Sequence, residues 1–534
     1  MLLQPSLHHQ QVSLSSSFSY SGPLRCDNPR CALPRSLNCL RLPVICSISQ
    51  LNSYGTVDYE RKPVIKWNAI YKRISLMENP ELGSGSVLDQ WELEGKKLTK
   101  WELCRVIKEL RKFKRYKQAL EIYDWMSNKR ERFRLSPSDA AIQLDLIAKV
   151  RGVSAAESFF MTLSNVSKDR RIYGALLNAY VRDKMREKAE SLIEKMRNKG
   201  YTTHALPFNV MMTLYMNLKE YDNVDKMVSE MMERSIKLDI YSYNIWLSSC
   251  GSQGSIEKME EVFEKMRQDR NINPNWTTFS TMATMYIRMG QTEKAEDCLR
   301  KVESRITGRL RIPYHYLISL YGNIGNKEEV HRVWNNYKSI FPSIPNLGYH
   351  AIISSLLRSG DIEGAEKLFE EWLSVKTHYD PRISNLLMTN YVKEGSFDKA
   401  ESMFQSMSEW GGKPNSNTWE ILADRHISER NVSEALSCWK EAFAADGSKS
   451  WKPKPASVLN FYKLCQEEDE LSSKEALENL LTQPRYLEDK AYASLIGLSS
   501  DKFSTLRDFI DDENGNESEE NDESEMHLQL ESSV

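Results

Sequence analysis

No stretch of this 534-residue chain approaches the roughly 18 consecutive apolar residues that a bilayer-spanning helix needs, so a soluble protein is expected. Proline (18) and glycine (23) are both scarce, which argues against collagen-like, low-complexity or turn-rich all-β architectures and suits helices. Nine cysteines are present, but only Cys104, Cys250, Cys298, Cys438 and Cys465 lie beyond the first fifty residues, far apart and without C-x-x-C spacing. A disulfide framework or a thiolate zinc site is thereby disfavoured, and buried thiols in a reducing compartment are expected. The nine histidines are isolated: no H-x-E with C-x-x-C, no H-E-x-x-H and no glycine-rich phosphate loop occurs. No enzyme, no metal and no cofactor is expected.

The charge is uneven. Residues 1–50 hold Arg25, Arg30, Arg35 and Arg41 against Asp27 alone, about +3. From Asp501 onward twelve acids face Lys502 and Arg507, about −10; the total of −2 then leaves about +5 for residues 51–500. The first fifty residues, rich in Ser, Leu, Pro and Arg, read as an organellar transit peptide, with Val44-Ile45-Cys46-Ser47 resembling a chloroplast stromal processing site. Chloroplast is the expected location and the mitochondrion the alternative. Residues 501–534 read as an acidic disordered tail.

Between the ends lies a repeat. Ala189, Val224, Met259, Ala295, Val330, Ala365, Ala400 and Ala435 follow one another at intervals of 35 residues, with a single 36. Seven residues after each stands a second anchor: Met196, Met231, Met266, Val302, Tyr337, Trp372, Met407 and Ala442. Sixteen residues before each stands an aromatic in all but one unit: Tyr173, Phe208, Tyr243, Phe279, Tyr314, Tyr349, Ser384 and Trp419. Glycines recur in mid-unit at Gly254, Gly290, Gly325, Gly360 and Gly395. Each unit reads as two helices. In Asn275 to Arg305, Thr277 or Thr278 is the expected cap of a first helix whose stripe is Phe279, Met282, Ala283, Tyr286 and Ile287. Met289-Gly290 ends it, and a second helix runs from Thr292. One hairpin cannot bury both stripes, so stacked hairpins are required. The expected fold is all-α: a right-handed superhelical α-solenoid of about ten helix-turn-helix repeats of roughly 35 residues. The domain reading is 51–99 helical or linker segment, 100–169 degenerate units, 170–450 well-formed array, and 451–500 degenerate helical cap.

Tyr243-Asn244-Ile245-Trp246-Leu247, Gly254, Met259 and Phe263-Glu264-Lys265-Met266 closely resemble the pentatricopeptide repeat, as does Tyr349 through Phe369. Connectors Asn273-Pro274-Asn275 and Lys413-Pro414-Asn415 are similar to that repeat's close. Tetratricopeptide repeats are one residue shorter and lack the aromatic-Asn opening. The resemblance implies a P-type, plant organellar member that binds single-stranded RNA and supports transcript stability, processing or translation. The organellar ribosome and RNA-processing proteins are candidate further partners, and a monomer without membrane attachment is expected. The alternative is a protein-interaction scaffold, for example ribosome-associated, with little base reading.

By the family pattern each unit reads one base through its fifth residue and its last. The implied pairs are Asn209 with Asp239, Asn244 with Asn275 and Asn385 with Asn415, for uracil in the first and pyrimidines in the others. Ser280 leans toward purine, with Leu310 as a silent partner; His350 with Asp380, His315 with Pro345 or Asn346, and Gly174 with His204 depart from the pattern. Glu420 would repel phosphate. Leu206, Tyr241, Ile312 and Leu347 are the implied base-stacking residues. Asn and Asp before a helix are equally good caps, and that alternative stands beside recognition at every pair. Lys100, Arg105, Lys108, Arg111 and Lys112 form a candidate phosphate contact at one end of the groove, or simply a solvated helix face.

Overall fold

The computed structural model describes residues 63–77, 82–129, 131–165, 168–446, 451–482 and 492; the transit-peptide and acidic-tail readings lie outside them. Twenty-four helices and no strand occur among these residues, paired in chain order into twelve hairpins. The first pair, Pro63–Ser75 and Gly83–Leu93, falls in the segment read as helical or linker, and packs on the next hairpin like any other. The last, Pro455–Glu467 and Leu471–Leu481, falls in the segment read as a C-terminal cap.

Why these residues stack follows from the register. All eight anchors from Ala189 to Ala435 are fully buried. Seven positions on, two turns along the same face, Met196 through Ala442 are buried as completely. Each aromatic of the opening turn is buried except Trp419, which is half-buried, and Ser384 is equally enclosed where the aromatic is missing. The anchor methionines Met196, Met231, Met259, Met266 and Met407 fill core space, as their flexible side chains allow.

From Pro137–Arg151 to Pro455–Glu467, the first helix of every hairpin lies against the first helix of the next, forming one continuous wall. The second helices stand behind it, and most touch both their own first helix and the following one. The product is an α-solenoid.

Hairpin turns need one residue in the left-handed region. Gly254, Gly290, Gly325, Gly360 and Gly395 supply it at no steric cost, with φ of 69–81°. Where glycine is absent the same position is forced on Lys114 (φ 56°), Lys184 (φ 52°), Lys219 (φ 57°), Arg430 (φ 60°) and Asp469 (φ 57°).

Successive hairpins are also clasped by charge. Tyr286 donates to Glu260 (2.8 Å) and Lys294 reaches the same carboxylate (2.8 Å). Tyr180 and Lys188 meet on Glu157, Tyr391 and Lys399 on Glu366, and Trp246 and Lys258 on Asp225. In each clasp the carboxylate comes from one hairpin's second helix, and the aromatic and cation come from the next hairpin. These groups are about half exposed, so each clasp contributes at most about 1 kcal/mol.

Candidate nucleic-acid interface

The first-helix wall carries the fifth-position residues, and the residue closing each unit sits at the start of the next first helix. Capping decides its conformation. Asp239 accepts from the Ser242 N–H (2.8 Å), Asn415 from the Thr418 N–H (2.9 Å) and Asp380 from the Arg382 N–H (3.1 Å). Asn275 accepts from both Thr277 (3.0 Å) and Thr278 (3.2 Å), so it is the cap of Trp276–Arg288, in place of either threonine. An asparagine ahead of two hydroxyl residues wins because its oxygen reaches both N–H groups.

Capping does not exclude pairing. Asn209 Nδ2 donates to both Asp239 oxygens (3.0 and 3.2 Å), and Asn385 Nδ2 donates to Asn415 Oδ1 (3.2 Å). These two pairs are in direct contact. The third is not: Asn244 Nδ2 donates to Thr277 Oγ1 (3.1 Å), and Thr277 in turn donates to Asn275 Oδ1 (2.6 Å). Asn244 Oδ1 is buried without a partner.

The other units are quieter. Ser280 Oγ turns back to the Thr277 carbonyl (2.9 Å), while Leu310 is exposed on the surface. Burial alone would raise the Asp380 carboxyl, but hydrogen bonds from Arg382 and the nearby His350 hold it below its usual range. His315 is buried, with its Nε2 3.0 Å from the Tyr337 hydroxyl. Burial, aided by Arg311, lowers its pKa to about 4, so it is a neutral core histidine. Glu420 corrects an expectation: instead of facing phosphate it is buried, accepting from the Lys454 N–H (2.6 Å). Burial pushes its carboxyl up to about 7.

Among the stacking candidates, Leu206 and Tyr241 stand out from the wall, 59% and 46% exposed, though large and apolar. Ile312 and Leu347 are half-buried. Of the basic set, Lys100 is held by Asp139 (2.6 Å) and Arg111 by Asp145 (3.3 Å), both on the next hairpin. These two cations join hairpins. Arg105 lies over Trp67 (5.2 Å) and near Glu109 (3.7 Å), whereas Lys108 and Lys112 are exposed. Among the described residues no group of three or more His, Cys, Asp or Glu could hold a metal, and no helix is long and apolar enough to cross a membrane.

Sequence reading missed the hydroxyls Ser242, Thr277 and Thr418, each of which touches the asparagine 33 residues earlier. The signal was that fixed interval, which crosses the unit boundary.

The pentatricopeptide repeat domain profile matches residues 226–289, the PPR repeat family profile residues 383–428, and the PPR repeat profile residues 171–201, 207–236, 277–305 and 349–375. A pentatricopeptide repeat-containing protein of Arabidopsis thaliana is 64% identical over 502 residues, 94% of this chain and 96% of its own length. A second from the same plant, whose name marks it mitochondrial, is 37% identical over 284 residues, 53% of this chain and 56% of its own. Among solved structures, the pentatricopeptide repeat protein PPR10 from maize is 16% identical with a TM-score of 0.47, covering 77% of this chain and 62% of that one.

Proposed function

The chain belongs to the pentatricopeptide repeat family, and from that premise we propose that it holds single-stranded RNA along its first-helix wall inside an organelle, supporting transcript stability, processing or translation without catalysing a reaction. The observation that carries this reading is the assembly of Asn209 with Asp239 and of Asn385 with Asn415, the same two-residue geometry built twice on one wall. An amide keeps one N–H and one lone pair for a base after such a pair has formed, which suits the mixed donor–acceptor edge of a pyrimidine. Leu206 and Tyr241 offer apolar faces one helical turn before Asn209 and Asn244, where a base would stack. The P-type assignment belongs to the same proposal. Relatives named mitochondrial favour the alternative location over the chloroplast. The scaffold reading draws on the units of His315 and Glu420, whose fifth residues are committed to the Tyr337 hydroxyl and the Lys454 N–H.

The test is binding of the purified protein to single-stranded pyrimidine-rich RNA against a duplex of the same length. Preference for the single strand, with affinity falling steeply as salt rises, is expected. Tyr241→Ala should weaken binding by about 1–3 kcal/mol while leaving thermal melting unchanged, the value of one lost stacking platform. No binding to any single strand at low salt would move the assignment to the scaffold.

A further inference from the structure

The asparagines on the wall are not held by the unit-closing residue alone. Ser242 Oγ lies within donating distance of Asn209 Oδ1 (2.7 Å) and of Asp239 Oδ1 (3.0 Å), and Thr418 Oγ1 of Asn385 Oδ1 (2.9 Å) and of Asn415 Oδ1 (2.9 Å); the fifth-position asparagine lies 33 residues earlier in both cases. Asn244 meets Thr277 Oγ1 (3.1 Å) across the same interval. The hydroxyl belongs to the following hairpin each time.

Its occurrence is selective. In the five other well-formed units, position 33 after the fifth residue holds Pro207 (after Gly174), Pro313 (Ser280), Gly348 (His315), Ile383 (His350) and Pro453 (Glu420). The hydroxyl is present in the three asparagine units and in none of these five. Ser242 and Thr418 also accept from the Asp239 and Asn415 N–H groups and so complete capping boxes, but a cap can form without the hydroxyl: Asp169 and Asp380 cap their helices with Ile172 and Ile383 at the corresponding third position.

Proton counting shows what the hydroxyl does. The Asp239 carboxylate is held by the Ser242 N–H, and as an ionised acceptor it takes only N–H or O–H, so Asn209 must turn its Nδ2 toward it. The Ser242 hydroxyl has one proton and two acceptors, and Asn209 Oδ1 (2.7 Å) is nearer than Asp239 Oδ1 (3.0 Å), so it closes on the remaining face of the amide. The amide is clamped at both ends, leaving one N–H and one lone pair in fixed directions. Asn385 sits in the same frame, with Asn415 Oδ1 accepting from the Thr418 N–H and the Thr418 hydroxyl shared at 2.9 Å between Asn385 Oδ1 and Asn415 Oδ1. In the Asn244 unit, Thr277 gives its only proton to Asn275 Oδ1 and can therefore only accept from Asn244 Nδ2. That amide is clamped at one end.

We propose that the hydroxyl 33 residues after each base-reading asparagine, Ser242 for Asn209 and Thr418 for Asn385, is a positioning residue that sets which edge of the amide faces the base. Base reading here is then a three-residue device spanning two hairpins, and unit length sets its mode. The 35-residue units place the cap 30 and the hydroxyl 33 residues on, whereas the longer Asn244 unit displaces its cap to 31, separates it from the asparagine and leaves Oδ1 open. The inference rests on the RNA-holding reading.

The experiment is selection of single-stranded RNA from a random pool by the full chain, with sequencing, alongside thermal melting. The proteins are wild type, Ser242→Ala, Ser242→Thr, Thr418→Val and Thr418→Ser. Ser242→Ala keeps the backbone N–H that Asp239 caps and loses the reciprocal contact from the Asp239 N–H (3.3 Å), a cost that the melting measurement reads separately from base preference. Expected is a loss of about tenfold in base preference at one position for Ser242→Ala and at another for Thr418→Val, the scale of one good base contact. Ser242→Thr and Thr418→Ser should keep the wild-type preference. Lower melting with base preference intact would make these hydroxyls structural and overturn the proposal alone. A wild type that enriches no base at any position would remove the RNA reading, and this proposal with it.

Discussion

Replacing Glu420 by Gln should stabilise the C-terminal hairpins above neutral pH and do almost nothing in acid. The carboxyl lies inside the stack, accepts from the Lys454 N–H, and has Asp424 one turn along the same helix, itself raised by burial and held by Ser457 (3.1 Å). Burial lifts Glu420 from 4.5 to about 7, and Lys454 offsets part of that lift. A carboxyl whose folded pKa lies above its unfolded value binds its proton more tightly in the folded state. The folded protein therefore suffers no penalty below pH 4.5, loses stability as pH rises toward 7, and stays destabilised beyond it. At about 1.4 kcal/mol per pKa unit the full penalty is about 3 kcal/mol, of which about 2 kcal/mol develops between pH 5.5 and 8.5. Glutamine retains the acceptor oxygen and removes the charge. Hydrogen exchange of amides in Ser416–Ser428 and Pro455–Glu467, corrected for intrinsic rates, reports this opening locally, as a stack that unravels from its ends requires. Protection in the variant relative to wild type should grow about thirtyfold from pH 5.5 to 8.5. A ratio flat across that range, or a variant less protected at pH 8.5, would mean that Glu420 is ionised and satisfied in the folded protein.

Lys219→Gly should raise stability by about 0.5–1 kcal/mol, because a β-carbon at φ 57° costs more than the chain entropy glycine adds. Urea denaturation checks it, and a drop in midpoint would refute the strain at that turn. Gly322→Ala should cost about 1–3 kcal/mol, since the new methyl would lie 2.6 Å from Ser355 Cβ on the next first helix, 3.0 Å from its Cα. An unchanged melting temperature would show that the two helices can part freely.

The fold was legible because one physical requirement recurs. A hairpin with two apolar stripes needs a neighbour, and a register of buried anchors every 35 residues announces that neighbour without any long-range information. The hairpin Pro63–Ser75 with Gly83–Leu93 was less legible, since only one such unit precedes the degenerate ones and no register can be counted from it. At the candidate site the register picks out positions but not their contacts. Asn209 and Asn244 look alike in sequence, and one extra residue in the second unit gives them different partners. The role of Thr277 was misjudged because its competitor for the cap, Asn275, lies before the helix. Lys100 and Arg111 looked available because Asp139 and Asp145, which neutralise them, sit on another hairpin.

The clasps give the stack an elasticity that responds to ionic strength. Each carboxylate, aromatic and cation triad bridges a joint between hairpins, so the joints form a series of springs whose stiffness is partly electrostatic. Salt that screens a polyanion in the groove also softens every spring behind it. If the wall holds RNA as proposed, pitch and grip would relax together, and a bound strand would be released both by weaker attraction and by a wall that no longer keeps its spacing. The steepness of affinity against salt would accordingly exceed what the number of contacted phosphates alone dictates.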